Sequence, residues 1–213
     1  MQPSSGVTPV PVLEALQQEA RRRSLWPSRG GRPDQPLGAA EVFYLVRDMP
    51  YGRASSRDPL TTIREWRGTC SGKHYLLRAL FAELGLRADL MACTTRITAE
   101  NAPYLPLALR GLLAAGPIID IHNYLVLYTR YGPMRVDATW PLPMKPLGLP
   151  VNEEFVWGRD MALACDPIVH QPVPDGGDPQ VFKDSLLRQS ADAPELARRE
   201  AFIAAASRYG EAP

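Results

Sequence analysis

"WRGTCSGKHYLLRALFAELGL", residues Trp66 to Leu86, is the stretch whose reading decides the fold. Leu76, Leu77, Leu80, Phe81 and Leu84 recur at intervals of three and four, the spacing that lays one apolar stripe along a helix. Thr69 stands where an N-cap belongs, and Gly85 where helices end in a left-handed turn. The stretch predicts a central helix with a broad buried face. Its first turn does not fit a packing role. Cys70 sits there beside Thr69, Ser71 and Lys73, outside the stripe. A thiol at a helix start faces unpaired backbone amides and the positive end of the helix dipole, and both favour the thiolate. Gly68 allows a tight turn or a close approach of backbone, and the Cys70 amide is itself a candidate oxyanion donor. The competing reading is a small buried cysteine.

Upstream, Val12 to Arg23 reads as a short amphipathic helix, and residues 27–36 as a loop dense in proline and glycine. "AAEVFYLVRDMPYG" fits a buried helix ended by Pro50 and Gly52, and "RASSRDPL" reads as a second loop. Downstream, "LRADLMACTTRI" alternates as a strand does. "APYLPLALRGLLAAGP", from Ala102 to Pro117, reads as an inserted helix, either a lid or plain packing. "IIDIHNYLVLYTRYGPMRVDATWP" predicts a hairpin turning at "YGP". His122, Tyr124, Val126 and Tyr128 share one face of its first strand, and "MRVDATW" is the return strand. Pro141 to about Pro179 has no clear period. Two helices, Val181 to Gln189 and Pro194 to Arg208, close the chain.

The 213 residues suit one domain, with a core over residues 41–141, an N-terminal helical extension over 1–40 and a proline-rich region over 142–213. The chain is 45% hydrophobic and 22% charged, as in ordinary globular proteins. A net charge of +1 gives no global field for nucleic acid or an anionic membrane, so neither is expected as a partner. No apolar run reaches membrane-span length. The start lacks the pattern of a secretory signal, so the expected location is cytoplasmic, with reduced thiols. All but three of the 24 basic residues are arginine, which reads first as coding bias. Three cysteines at wide spacing make no disulfide framework, and with three histidines they form no known zinc spacing. No cofactor and no metal are expected.

A thiolate nucleophile needs a base, and the base needs an orienting group. His122 on the first hairpin strand and Asp137 on the return strand are the candidates. An ionised Asp137 between Val136 and Ala138 is costly to bury without a partner, and His122 would be that partner. With the turn near Gly132 the two are not directly opposite, so the contact must be diagonal or use a bulge. His74 competes as base. However, it runs beside Cys70 one turn along the same helix, leaving no room for a carbonyl. Asp120 lies along the strand from His122 and is less well placed than Asp137. Cys93 and Cys165 read as packing cysteines, His170 as a loop residue, and the arginine clusters as solvated faces.

"GTCSGKHYLLRALFAELGL", "DIHNYLVLY" and "RVDATWP", in that order, resemble the transglutaminase-like superfamily over roughly Glu41 to Pro141. The resemblance implies an α+β fold, with a nucleophile-bearing helix packed on an antiparallel sheet, as in papain-like enzymes. It implies Cys70 as nucleophile, His122 as general base and then acid, and Asp137 as the group that orients His122. It also implies an oxyanion donor upstream of the cysteine, for which Trp66 is the nearest candidate and Tyr51 a second. Tyr51, Tyr124 and Trp140 are the candidate substrate contacts. The chain departs from the pattern at His122-Asn123-Tyr124, where the family has His-Ala-Trp, and by the insert from Ala102 to Gly116. The implied activity is acyl transfer from an amide or ester of a peptide, protein or small molecule, through a thioester resolved by water or by an amine. An arylamine-acetyltransferase-like enzyme, suggested by "RGTC", and an inactive binding module of the same fold are the alternatives. The oligomeric state is left open.

Overall fold

The computed structural model describes residues 10–26 and 36–210. All but the last residue of the loop expected over 27–36 therefore lies outside the described residues.

The first helix, α1 (Val12–Arg22), buries Leu16 and Ala20. Its leading amides, on Val12 and Leu13, donate to the carboxylate of Glu83 at 2.8 and 2.7 Å. The amphipathic N-terminal segment is thus docked on the central helix and shares its core. Next, α2 (Ala39–Asp48) buries Val42, Phe43, Leu45 and Val46. The last two residues of the stretch read as a loop, Pro59 and Leu60, begin a further helix, α3 (Pro59–Glu65). Asp58 caps it by accepting from the Thr61 amide at 3.0 Å, and Pro59 takes the first helical position, where its missing N–H is harmless. The central helix is α4 (Cys70–Glu83), with Leu76, Leu77, Leu80 and Phe81 fully buried. Thr69 precedes it in extended conformation without a side-chain capping bond, and Gly85 follows at φ +73°.

A four-stranded sheet covers this helix. Its strands are β1 (Ala88–Ile97), β2 (Ile118–Thr129), β3 (Gly132–Val136) and β4 (Pro167–Pro172), in the order β3-β2-β1-β4 with every neighbour antiparallel. Between β1 and β2 lies α5 (Leu107–Leu112), extended by a 3-10 turn to Ala115. Two helices, α6 (Pro179–Ser190) and α7 (Ala193–Gly210), close the chain. The fold is mixed α+β, with a four-stranded antiparallel sheet and several helices. No helix among the described residues is long and apolar enough to cross a membrane.

Two expectations are corrected here. The return strand stops at Val136, so Asp137 follows β3 and is not part of it. His170 lies in edge strand β4, opposite Cys93, and not in a loop. That strand was hidden because prolines bound it and its side chains are mostly exposed, which removes any period.

Alternation along the strands divides the apolar residues. Leu90, Ala92, Ile121, Leu125 and Leu127 join the stripe of α4 in the main core. Ile118 joins a second cluster with Leu105 and Leu109 of the insert and Phe202 and Ile203 of α7.

Candidate active site

Cys70 is the first residue of α4, so its amide has no acceptor within the helix. His122 lies in the half of β2 that extends past β3, because β3 ends at Val136 opposite Leu125. Carried on by one residue, that register sets Asp137 beside Tyr124, two residues from His122 on the same face. The contact is diagonal: His122 Nε2 lies 2.8 Å from Asp137 Oδ2. The carboxylate is otherwise satisfied by backbone. Oδ1 accepts from the Thr139 amide at 3.0 Å, and Oδ2 also accepts from the Ala164 amide at 2.8 Å.

The electrostatics follow from these contacts. Burial alone would raise the Asp137 carboxyl, but the charge and hydrogen bond of His122 hold it well below the usual range. Burial would lower His122, yet the Asp137 carboxylate and the hydrogen bonds to Asp137 and Cys70 hold the ring well above its ordinary value. At Cys70, burial pushes the thiol up, while Lys183 and then His122 pull it down, to about 6. Both shifts run in the direction that favours a thiolate beside an imidazolium.

Lys183 went unnoticed in the sequence. Its ammonium, on α6, donates to Ser71 Oγ at 2.9 Å and lies 3.8 Å from Cys70 Sγ. Ser71 passes the bond on to Asn123 Oδ1 at 2.9 Å. A signal did exist: Lys183 stands three and four residues before Leu186 and Leu187, so it shares the buried face of its own helix. Lys73 is buried for a different purpose. It donates to the carbonyls of Arg47 and Thr139 at 2.9 and 3.0 Å, tying α4 to the end of α2 and to the chain after Asp137, and burial lowers it to about 7.

His74 is the second ring near Asp137. Its Nδ1 lies 2.7 Å from the Cys70 carbonyl and its Nε2 accepts from the Ala138 amide at 3.0 Å. A ring nitrogen that accepts from an amide carries no proton, so the ring is neutral, and burial lowers it to about 4.

The proline-rich region completes the site. The buried Arg47 guanidinium donates to the carbonyls of Asn152 and Glu153, both at 3.0 Å. The Asn152 side chain then donates to the carbonyls of Asp137 and Ala162, both at 2.9 Å. This strap delivers the Ala164 amide to Asp137.

A cavity of about 320 Å³ opens beside Cys70 and His122. Tyr51 and Trp140 both line it, with ring centroids 4.5 Å apart. The Tyr51 phenol is pushed well up by burial and then by the charge of Cys70, which keeps it a protonated donor near the sulfur. Two candidates lie elsewhere. Trp66 does not line the cavity; it packs in the main core, with the Arg23 guanidinium 5.2 Å over its ring. Tyr124 directs its hydroxyl to His170 Nδ1, at 3.0 Å. Asp120 lines the cavity but is held by Arg199 at 2.6 Å, and so is not free as a base. Among the described residues, no group of three or more His, Cys, Asp or Glu is arranged to hold a metal ion.

Comparison with known proteins finds no matching family model, no similar curated protein and no similar solved structure.

Proposed function

We propose that the protein is a cysteine-dependent acyl-transfer enzyme with a core of the papain and transglutaminase type. The observation that carries this reading is the Cys70–His122–Asp137 constellation. A thiol brought down to about 6 stands at a helix start, in one cavity with a histidine whose Nε2 lies 2.8 Å from a buried carboxylate. That arrangement is the geometric signature of an activated nucleophile with an oriented base.

In the proposed reaction the Cys70 thiolate attacks the carbonyl carbon of an amide or ester, and a C–S bond forms. Negative charge moves to the carbonyl oxygen, within reach of the Cys70 amide and the Tyr51 hydroxyl. Collapse breaks the bond to the leaving nitrogen or oxygen, which takes its proton from the His122 imidazolium. The resulting thioester is attacked by water or an amine. His122, now neutral, accepts the proton of that nucleophile, and collapse returns the thiolate. Asp137 stays ionised throughout and positions the ring. Lys183 acts behind the sulfur, favouring the thiolate through charge.

The test is to mix the protein with p-nitrophenyl acetate and examine intact mass after rapid acid quench. The expected result is one acetyl adduct on Cys70, released by neutral hydroxylamine and lost in Cys70→Ala. An adduct spread over lysines, or none, would contradict the proposal.

A further inference from the structure

The cavity beside Cys70 is built differently from the rest of the interior. Protein cores are close-packed and seldom leave gaps larger than a water molecule. Here the second apolar cluster, formed by the insert and α7 against the start of β2, encloses about 320 Å³. That lies at the low end of the roughly 300–1,000 Å³ found for small-molecule sites. The walls are apolar side chains from three separate segments: Leu105 and Leu109, then Met144 and Leu149, then Phe202 and Ile203. Gly148, at φ +85°, lies against Tyr104, where a Cβ would stand 3.0 Å from the Tyr104 Cβ, so the insert and the proline-rich segment close on one another.

The polar groups of the cavity explain which compounds fit. Cys70, His122 and Tyr51 belong to the reacting centre. The Asp120 carboxylate is neutralised by Arg199, and the other lining carboxylate, Asp166, is exposed to water and not enclosed with the apolar walls. The Trp140 indole lines the wall, and its Nε1–H is buried without an acceptor among the described residues. Thr95, Asn101, Thr139 and Asp166 also line the cavity, but a polar acyl group, such as the side chain of glutamine, would lose its water without gaining partners along the wall of Leu105, Leu109, Phe202 and Ile203.

We infer that the cavity is an acyl-chain site, and that the substrate is an ester, thioester or amide of an uncharged, medium-length aliphatic acid, whose chain lies among Leu105, Leu109, Phe202 and Ile203. This inference rests on Cys70 as the nucleophile. The chain enters the apolar cluster while its carbonyl remains at the sulfur. Each methylene taken from water into the cavity should raise the second-order rate of Cys70 acylation by about fourfold until the space is filled.

The experiment uses p-nitrophenyl acetate, butyrate, hexanoate, octanoate and palmitate, read as acyl-Cys70 by mass spectrometry. In parallel, Cys70→Ala protein is titrated calorimetrically with acetamide and octanamide. The expected result is a rate that climbs from acetate to octanoate and drops at palmitate, with octanamide binding the Cys70→Ala protein and acetamide not. Ala206→Phe and Leu109→Trp, which narrow the cavity from different helices, should each shift the preferred chain to a shorter one. Acylation of Cys70 with no dependence on chain length would overturn the acyl-chain site and leave the nucleophile intact. Octanamide binding without any acylation would keep the apolar site and remove the acyl-transfer reading. Failure of both measurements would overturn both.

Discussion

Asp137 has a histidine on each side, and the two surroundings make opposite groups of them. On the helix side, His74 is fully buried, accepts the Ala138 amide and lies 3.7 Å from Asp137 Oδ1. On the strand side, His122 lies 2.8 Å from Oδ2 and shares the cavity with the Cys70 thiol, which it helps to pull down. The carboxylate is common to both. The nitrogen that faces the carboxylate is used differently: in His74 that Nε2 accepts from the Ala138 amide, which freezes the ring in the neutral form, whereas in His122 it lies at hydrogen-bond distance from the carboxylate, and a thiol that gives up its proton favours the charged ring. Nearness to a carboxylate is therefore not what makes a base. The hydrogen-bond character of the second neighbour decides.

The sharpest way to break the comparison is to remove each ring in turn. His122→Ala should lower the rate of Cys70 acylation by on the order of 10³, the usual scale for a lost general base. His74→Ala should leave the pH profile of Cys70 near that of the wild type while destabilising the fold by about 2–4 kcal/mol, because it opens a buried hole and leaves the Ala138 amide unpaired. Acylation rates and denaturant midpoints measured on the same samples separate the two outcomes. Equal loss of acylation in both variants would abolish the distinction.

A second prediction uses acid. The folded pKa of His74, about 4, lies below the ordinary value of about 6.5, so the unfolded chain binds this proton more readily between those limits. The contribution of neutral His74 is complete above pH ~6.5 and is lost as pH falls toward 4, for a total of about 3 kcal/mol. His122 has the opposite sign. Its pKa is raised, so its contribution is full below the unfolded value and fades only as pH rises through the folded one. Urea unfolding of wild type and His74→Gln across pH 4 to 7 should show the wild type with the steeper slope; equal slopes would contradict a neutral, buried His74.

The smallest effect should come from Lys183→Met. The sulfur keeps His122 but loses the ammonium 3.8 Å away, so the Cys70 titration should move to higher pH and the alkylation rate at neutral pH should fall several-fold, with the fold intact. No movement of the titration would show that Lys183 serves Ser71 alone.

The division between legible and hidden features follows the same physics. The α4 helix, β1 and the hairpin were legible because each buries one face, and burial writes a period of 3.6 or 2 into the residues. Cys70 stood out by breaking that period at the helix start, and the diagonal reach from His122 to Asp137 followed from the position of the turn. The α3 helix was missed although Asp58-Pro59 is a cap followed by a first-turn proline, because the serines and arginine before it read as loop. The strap from Asn152 to Ala164 acts through backbone amides and carbonyls, which carry no residue signature. Lys183 was hidden by distance in the chain: it lies 113 positions from Cys70, and only the docking of α6 brings the two together.

The central claim is that Cys70 and His122 share a proton in favour of the thiolate. Iodoacetamide alkylation of each cysteine, followed by mass spectrometry from pH 4 to 9, tests it directly in wild type and His122→Ala. The account predicts that Cys70 alone reacts with a midpoint near 6, and that the midpoint rises toward or above an ordinary thiol value of about 8.5 without His122. A Cys70 that titrates like an ordinary thiol in the wild type, or that keeps its low midpoint without His122, would contradict it.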